Sequence, residues 1–522
     1  MTPAAFDPTR TALGIELGST RIKAVLVDDS HTVIASGGHE WANELVDGVW
    51  TYSMESVEDG LRQAYAALAA DLERRTGATL STVGALGISG MMHGYLPLGA
   101  DGELLTPFRT WRNTFTQESA AALTRLLGLN ISQRWSVAHL HHALTHGEEH
   151  VDRIERLTTL AGYVHLRLTG RHVVGVGEAS GMFPIGPGGD GFDPQMLQAF
   201  DAAVQAPWSL ADILPEVAIA GQVAGTLSEE GALLLDPTGT LRPGIPLCPP
   251  EGDAGTGMVA TGAVAPRTGN VSAGTSAFAM VVLDEPLRSL HEEVDLVATP
   301  AGAPVVMVHS NNCTSDLNAW VGLFAQFAEA IGHPVPRDEL FAVLLGAAGE
   351  HAYTEGLLAY NFLSGEHLLE LAEGRPLVVR RPEADLTLGG LFRAHLFAAF
   401  AAMSHGLHVL RRTESVPIDS MVAHGGIFRT PGPPQRVLAA AFDTPVSVGA
   451  AASEGGAWGM ALLASLTAWG AGRSLEDYLD GVFADLEVVT VVPTQAEVAE
   501  YDRYLEGFVR GLELERAAIG LL

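Results

Sequence analysis

Short apolar runs and small-residue turns alternate along the chain, and the period of the runs changes from two to about three and a half. Residues 11–35 read as two strands joined by a glycine turn, with Ile22, Ala24, Leu26 and Val27 in a β pattern. Asp28-Asp29-Ser30 supplies the next turn, and Val33 and Ile34 open a third strand. Val57, Leu61, Tyr65, Leu68 and Leu72 then fall at helical spacing, which predicts an amphipathic helix over residues 54–75. Val83 to Ser89 is a short buried strand ending at Gly90. Helices are expected near 116–128 and 137–148, and a strand followed by a helix over 153–170, closed by Gly170.

Residues 215–250 are rich in proline and glycine and read as the end of a first lobe. Residues 269–283 repeat the opening theme of strand, small-residue turn and strand, about 255 residues after its first appearance. Long helices are expected over 314–331, 390–412 and 454–469, and one final helix over 493–515. The pattern as a whole predicts mixed α/β structure in two lobes, with helices packed on sheets.

Composition narrows this reading. Hydrophobic residues make up 47% of the 522, enough for two full domains. A formal charge of −31 repels nucleic acid and anionic membrane at long range, so neither is an expected partner. The same charge means that a bound phosphate needs local help from backbone N–H groups, Mg2+ or a few cations. Two cysteines, Cys248 and Cys313, are too few for a disulfide framework or a cysteine zinc site. The first residues lack a basic region followed by an apolar core, and apolar stretches such as 397–403 are far shorter than the roughly 20 residues of a membrane span. A soluble, cytoplasmic protein is the expectation.

Several segments carry candidate chemistry. Gly18, Ser19 and Thr20 form a turn that suits a phosphate, with Glu16 at the strand end able to hold Mg2+ through water; an ordinary hairpin turn is the plain alternative. Gly274, Thr275 and Ser276 offer a second such turn. Asp253 opens a small-residue helix, where it serves either as a general base or as a helix cap. Gly425 and Gly426, after a strand, and Gly455 and Gly456, in the run 452–459, let a flat base or ribose approach the backbone. Met92 and His93, in Ser89-Gly90-Met91-Met92-His93-Gly94, and Trp111, Arg112 and Asn113 are residues of the kinds that bind polyols; a core histidine is the alternative for His93. His142, His146 and His150 stand at i, i+4 and i+8, a spacing that can hold zinc or nickel, but an ordinary helix face is the preferred reading.

Taken in order, these segments resemble the FGGY family of carbohydrate kinases, and most closely its xylulokinase branch. Gly14 to Thr20 is similar to that family's first phosphate motif, Met92-His93-Gly94 to its Met-His-Gly segment, and Gly252-Asp253-Ala254 to the motif that carries its base. Gly274 to Ser276 matches its second phosphate turn, and Phe362 to His367 its Tyr-Leu-Ser-Gly-Glu-Arg segment. The resemblance implies a two-lobed α/β fold of the actin-like and hexokinase-like ATPases, with ribonuclease H-like lobes and an interlobe cleft. It implies an N-terminal lobe over 1–249, with the sugar site and first phosphate motif, and a nucleotide-binding lobe over 250–522. ATP and Mg2+ follow as cofactors, with Asp253 as the base that also meets the metal through water, and Gly425, Gly426, Gly455 and Gly456 at the adenosine. The reaction implied is phosphorylation of a sugar hydroxyl, D-xylulose to its 5-phosphate first, then ribulose or another ketose or polyol. A sugar-independent ATPase or a non-catalytic sugar sensor on the same fold is the competing class. A homodimer is expected by analogy.

Departures from the pattern stand out. Glu16 occupies the place of an aspartate and is one methylene longer. Trp111-Arg112-Asn113 stands where the xylulokinase branch has Trp-Asn-Asp, so the carboxylate expected for sugar hydroxyls is missing there, and Glu178 is the candidate to replace it. His367 replaces an arginine.

Overall fold

The computed structural model describes residues 6–449 and 455–521. Its chain divides into two compact units, one made of residues 1–265, 295–305 and 454–486, the other of residues 266–294, 306–453 and 487–522.

In the first unit, the strand Thr11–Leu17 pairs antiparallel with Arg21–Asp28, which pairs antiparallel with Val33–Glu40. On its other side Thr11–Leu17 pairs in parallel with Ala85–Gly90. That strand in turn carries Pro246–Leu247 and, farther along, Glu251–Gly252, both parallel to it. Alternation assigns the two faces. Ile15, Ala24 and Gly37 share one row of the ladder, and the helix Met54–Thr76 lies on that face. It lies so close that a Cβ on Gly37 would stand 2.3 Å from Leu68 N. Gly14 points to the opposite face, where the helix Gly455–Trp469 packs; a Cβ there would stand 2.2 Å from Ala457 O. Leu13, Ile15, Leu26, Leu61, Leu68 and Ile88 are among the fully buried side chains of this core.

The second unit repeats the plan. Thr268–Ala273 and Ala277–Val282 form an antiparallel hairpin, Thr268–Ala273 runs parallel to Ser420–His424, and that strand runs parallel to Val446–Gly449. Val488–Val491 closes the sheet edge antiparallel. The helix Leu388–Glu414 crosses the unit with Phe392, Phe397, Phe400 and Met403 buried. Phe397 packs tilted against Tyr501 and edge-on against Tyr504 of the helix Gln495–Arg510.

Two expectations of the helix pattern are corrected. The single C-terminal helix is two, Gln495–Arg510 and Leu512–Leu521, because Gly511 sits where a Cβ would lie 2.1 Å from the Tyr360 hydroxyl oxygen. The helix expected over 137–148 is Ser136–Thr145, and Gly147 at φ +63° turns the chain away. Among the described residues no helix is long and apolar enough to cross a membrane.

Candidate functional site

The first unit gathers its carboxylates where two small-residue helices begin. Glu16 is at the C-terminal end of the strand Thr11–Leu17, on the same face as Gly14, and Lys23 stands directly opposite it in the ladder. Its Oε2 accepts the Ala457 N–H at 3.2 Å, at the start of the Gly455–Trp469 helix. Gly456 leaves room for this, since a Cβ there would lie 2.4 Å from Glu16 Oε1. Burial and then the nearby Asp253 charge push the Glu16 carboxyl up to about 7, against the pull of Lys23 and the Ala457 N–H.

Asp253 is the first residue of the helix Asp253–Thr261, after the extended Gly252. The small residues 254–257 let the Gly455–Trp469 helix come close enough that a Cβ on Gly459 would stand 2.1 Å from Thr256 O. The Thr256 hydroxyl meets the Ser89 hydroxyl at 3.1 Å. Asp253 Oδ1 accepts the Met92 N–H at 3.1 Å. Burial raises the Asp253 carboxyl, while that N–H, its own helix N-terminus and the Arg134 charge lower it in part. Two like charges near one another with Lys23 opposing only one of them form a donor set that fits a divalent cation. Among the described residues no group of three or more His, Cys, Asp or Glu is arranged to hold a metal.

Behind Asp253 lie two more carboxylates. Glu251 is buried and accepts N–H bonds from Gly177 at 3.3 Å and Glu178 at 2.9 Å; burial still pushes its carboxyl up to about 8. Gly175 and Gly177 are glycines because a Cβ on either would enter that carboxylate. Glu178 is fully enclosed, and neither of its oxygens makes a hydrogen bond of normal geometry among the described residues. Burial raises its carboxyl well above the usual range, softened by the Thr159 hydroxyl. Gly252 makes room for Glu178, since a Cβ there would stand 2.5 Å from its Oε2.

His93 is held at φ +68°, a left-handed conformation uncommon outside glycine. Its Nδ1 lies 3.4 Å from Gly181 O, and Gly181 lacks the Cβ that would reach the ring. Burial, with the Arg134 charge adding and Asp295 opposing, pushes the imidazole down to about 4, so it is neutral near pH 7. Arg134 forms an ion pair with Asp295.

The Trp111 segment is placed differently from its neighbours in the motif list. Asn113 is buried, and its amide is taken up by backbone: Oδ1 accepts Trp50 N–H at 2.9 Å, while Nδ2 donates to Trp50 O at 2.9 Å and Thr110 O at 3.0 Å. The exposed Arg112 lies over the Trp50 ring, 4.0 Å from its centroid, and Trp111 packs on the core. In the first turn Ser19 and Thr20 are exposed. Gly18 N–H donates to Arg21 O at 3.1 Å, Trp41 Nε1 donates to Gly18 O at 2.7 Å, and the Tyr52 hydroxyl donates to Ser19 O at 2.6 Å, so the turn is stiffened from behind.

In the second unit, Gly274 N–H donates to Ser276 O at 2.9 Å, and Cys313 N–H donates to Thr275 O at 3.0 Å. Gly425, at φ +122°, leaves room for this turn's strand; a Cβ there would stand 2.1 Å from Ala273 O. Gly274 to Ser276 and Gly425-Gly426 therefore adjoin within this unit, whereas Gly455 and Gly456 belong to the first unit beside Glu16. Residues 452–454 of that run lie outside the described residues. In the Phe362 to His367 segment, Glu366 is buried and its Oε2 accepts Ser310 Oγ at 2.9 Å and Asn311 N–H at 2.9 Å, which makes it a structural anchor.

The histidine run does not converge. His142 and His146 stack at 3.9 Å between centroids, whereas His150, beyond the helix end, meets the Tyr95 hydroxyl through Nε2 at 2.8 Å. Glu251, Thr256, Arg134 and Asp295 are the neighbours that sequence reasoning missed. For Lys23 the strand alternation with Glu16 was a usable signal, because an antiparallel hairpin with a short turn fixes the register. Glu251 and Thr256 flank Asp253 in sequence, whereas Arg134 and Asp295 are brought in from distant segments and leave no local signal.

Comparison with known proteins agrees with this architecture. Residues 11–259 match the N-terminal domain, and residues 269–468 the C-terminal domain, of the FGGY family of carbohydrate kinases. The xylulose kinase of Escherichia coli (strain K12) is 23% identical over 290 residues, covering 53% of this chain; the match spans about half of that relative, 56% of its length. Among solved structures, a xyloylose kinase from Brucella ovis superimposes with a TM-score of 0.78 at 20% identity, covering 98% of this chain and all, 100%, of that one. A gluconate kinase from Lactobacillus acidophilus does so at 0.76 and 17% identity, over 97% and 98% of the two chains. At these identities the structures speak for the fold, two α/β domains with ATPase-like lobes, whereas the two domain models together span well over half of the sequence. The chain belongs to the FGGY family of carbohydrate kinases.

Proposed function

We propose that this protein transfers the γ-phosphoryl group of ATP to a primary hydroxyl of a ketopentose, D-xylulose first, giving the 5-phosphate. The observation that carries this reading is Asp253: a carboxylate at a helix start, its affinity for a proton raised by burial, held in place by the Met92 N–H. Asp253 would take the proton from the sugar hydroxyl, whose oxygen attacks the γ-phosphorus as the bond to ADP breaks. Gly18, Ser19 and Thr20 would steady phosphoryl oxygens, as would Gly274, Thr275 and Ser276, with Gly425 and Gly426 toward the adenosine. Glu16 and Asp253 would hold Mg2+ through water, and the ion would offset negative charge on the transferred group. Gly456 also makes room for Glu16 at the helix start.

Met92 and His93 would face the sugar, His93 as a neutral hydrogen-bonding ring. Trp111 and Arg112 are assigned to the rim of that site, with Asn113 behind them holding the segment to Trp50. Glu178 acts from behind Asp253. On this reading residues 1–249 supply the sugar side and the first phosphate turn and residues 250–522 the nucleotide side, with Asp253 in the same unit as the sugar residues, in a cytoplasmic enzyme. Support for the ketopentose comes from the Met92-His93-Gly94 segment and from the names of two similar proteins, a xylulose kinase and a xyloylose kinase; the gluconate kinase shares the fold, so the fold alone does not select the sugar.

The test is ADP release with Mg·ATP against xylulose, ribulose, ribitol, fuculose, rhamnulose, gluconate and glycerol. Strong stimulation by D-xylulose is expected. Preference for another sugar would move the substrate, and equal ATP turnover with and without every sugar would replace the kinase by an ATPase.

A further inference from the structure

The motif that carries the hydroxyl-binding carboxylate in the xylulokinase branch reads Trp111-Arg112-Asn113 here, and Glu178 is sealed in the interior. Three segments meet at the turn 180–182. His93 Nδ1 lies 3.4 Å from Gly181 O, Val137 N–H donates to Met182 O at 3.1 Å, and Ala298 N–H donates to the Ser180 hydroxyl at 3.0 Å. The Ser136 hydroxyl, next to Val137, also donates to Gly94 O at 2.5 Å, tying this segment to the His93 turn. Arg134 stands three residues before Val137 and Asp295 three residues before Ala298. The two side chains turn toward each other and pair.

The pair is set with care. Asn130 Nδ2 lies 3.5 Å from Asp295 Oδ1, and Arg134 Nε donates to the Ser132 hydroxyl at 3.3 Å. Its side chains are 19% and 9% exposed, so it is neither sealed like Glu178 nor free on the surface. An ion pair at that depth seldom stabilises a fold over an apolar pair of the same size, so stability alone is a weak reason for it. Its chemistry suits a ligand. A guanidinium has five N–H donors, and the contacts described among these residues use Nε and one terminal nitrogen. A carboxylate accepts about four hydrogen bonds. A sugar hydroxyl both donates and accepts, so adjacent groups of the two kinds satisfy it completely.

We propose that Arg134 and Asp295 form the clamp that binds the hydroxyls of the acceptor beside His93, and that this pair sets which sugar is taken. The pair carries no net charge, so it selects an uncharged ketose or polyol, and Asp295 disfavours a sugar acid. The inference rests on the kinase reading above and adds the residues that decide its acceptor.

The experiment compares wild type with the double variant R134M/D295L, which removes both charges together and leaves neither one buried alone. D-Xylulose binding is measured by calorimetry without nucleotide, KM and kcat by ADP release, and Tm as a control. The expected result is a rise of at least about tenfold in Kd and KM for the sugar, the size of one or more lost charged hydrogen bonds, with Tm near wild type. Native sugar affinity in the double variant overturns the clamp and leaves the kinase standing. Should that variant fail to fold, the single variants D295N and R134K change the donor and acceptor set with a smaller change of volume, and native KM in both overturns it equally. If wild-type protein neither binds nor phosphorylates any neutral sugar of the panel, the kinase reading fails, and the clamp with it.

Discussion

Asp253 Oδ1 accepts the backbone N–H of Met92 at 3.1 Å, so the proposed base is tied to the segment that also carries His93. The bond orients one carboxylate oxygen. Asp253→Asn keeps the acceptor for Met92 and loses the base. Turnover with sugar should fall by about 10²–10⁴, the usual worth of a general base, while ATP binding followed by nucleotide fluorescence stays near native. Near-native turnover would remove Asp253 from the mechanism.

The Glu16 carboxyl is pushed up to about 7 by burial and the Asp253 charge. Its ionised form is the one that would hold the proposed cation. The Mg2+ concentration for half-maximal activity should therefore rise as pH falls through about 7, and Glu16→Gln should show a high requirement, by about tenfold, at every pH. Mg2+ titrations at about pH 6 and about pH 8 check this; identical pH trends in both proteins would assign the effect elsewhere.

Glu251 carries its own pH signature in stability. Its carboxyl lies at about 8 in the folded chain, against about 4.3 in an unfolded one. Between those values the folded state binds more protons than the unfolded state, so this group's contribution to stability falls as pH rises and levels off above about 8. Glu251→Gln should flatten the decline of Tm with pH across that window. An unchanged slope would mean that Glu251 is ionised when buried.

Gly459 faces Thr256 O, where a Cβ would stand at 2.1 Å against backbone that cannot move aside. Gly459→Ala should cost about 1–3 kcal/mol by forcing the two helices apart. Activity should fall with it, because both helix starts carry site carboxylates. Thermal unfolding and ADP release measure the two effects, and a variant of native Tm would show that the helices can separate freely.

Asn113 is spent on the Trp50 and Thr110 backbone. Asn113→Ala should lower stability by about 1–3 kcal/mol by leaving buried backbone groups unpaired. The sugar KM should change less than in the Arg134/Asp295 variant. A large KM change at native Tm would place the amide on the sugar instead.

Much was legible in the chain by itself. Alternation at Ile22, Ala24 and Leu26 marked the hairpin, since period two in a short run leaves no other element. The helical spacing from Val57 to Leu72 marked the helix found at Met54–Thr76. Asp253 could be singled out because the small residues after it are a local signal. The break at Gly511 was not legible, because it depends on the Tyr360 hydroxyl beside the chain, whereas the early end at Thr145 is marked by a local signal, Gly147.

The sequence by itself determined the element types, the two-fold repetition of strand, turn and strand, and the segments proposed to carry phosphate and base chemistry, because period, turn residues and motif order are local properties. Tertiary structure alone decided which of these meet. It set Gly456 against Glu16 within the first unit, spent Asn113 on backbone, sealed Glu178, and paired Arg134 with Asp295 across 161 residues of chain. Such pairings depend on how close two backbones can approach and which polar groups are left to satisfy one another, and neither is written in any one stretch of sequence.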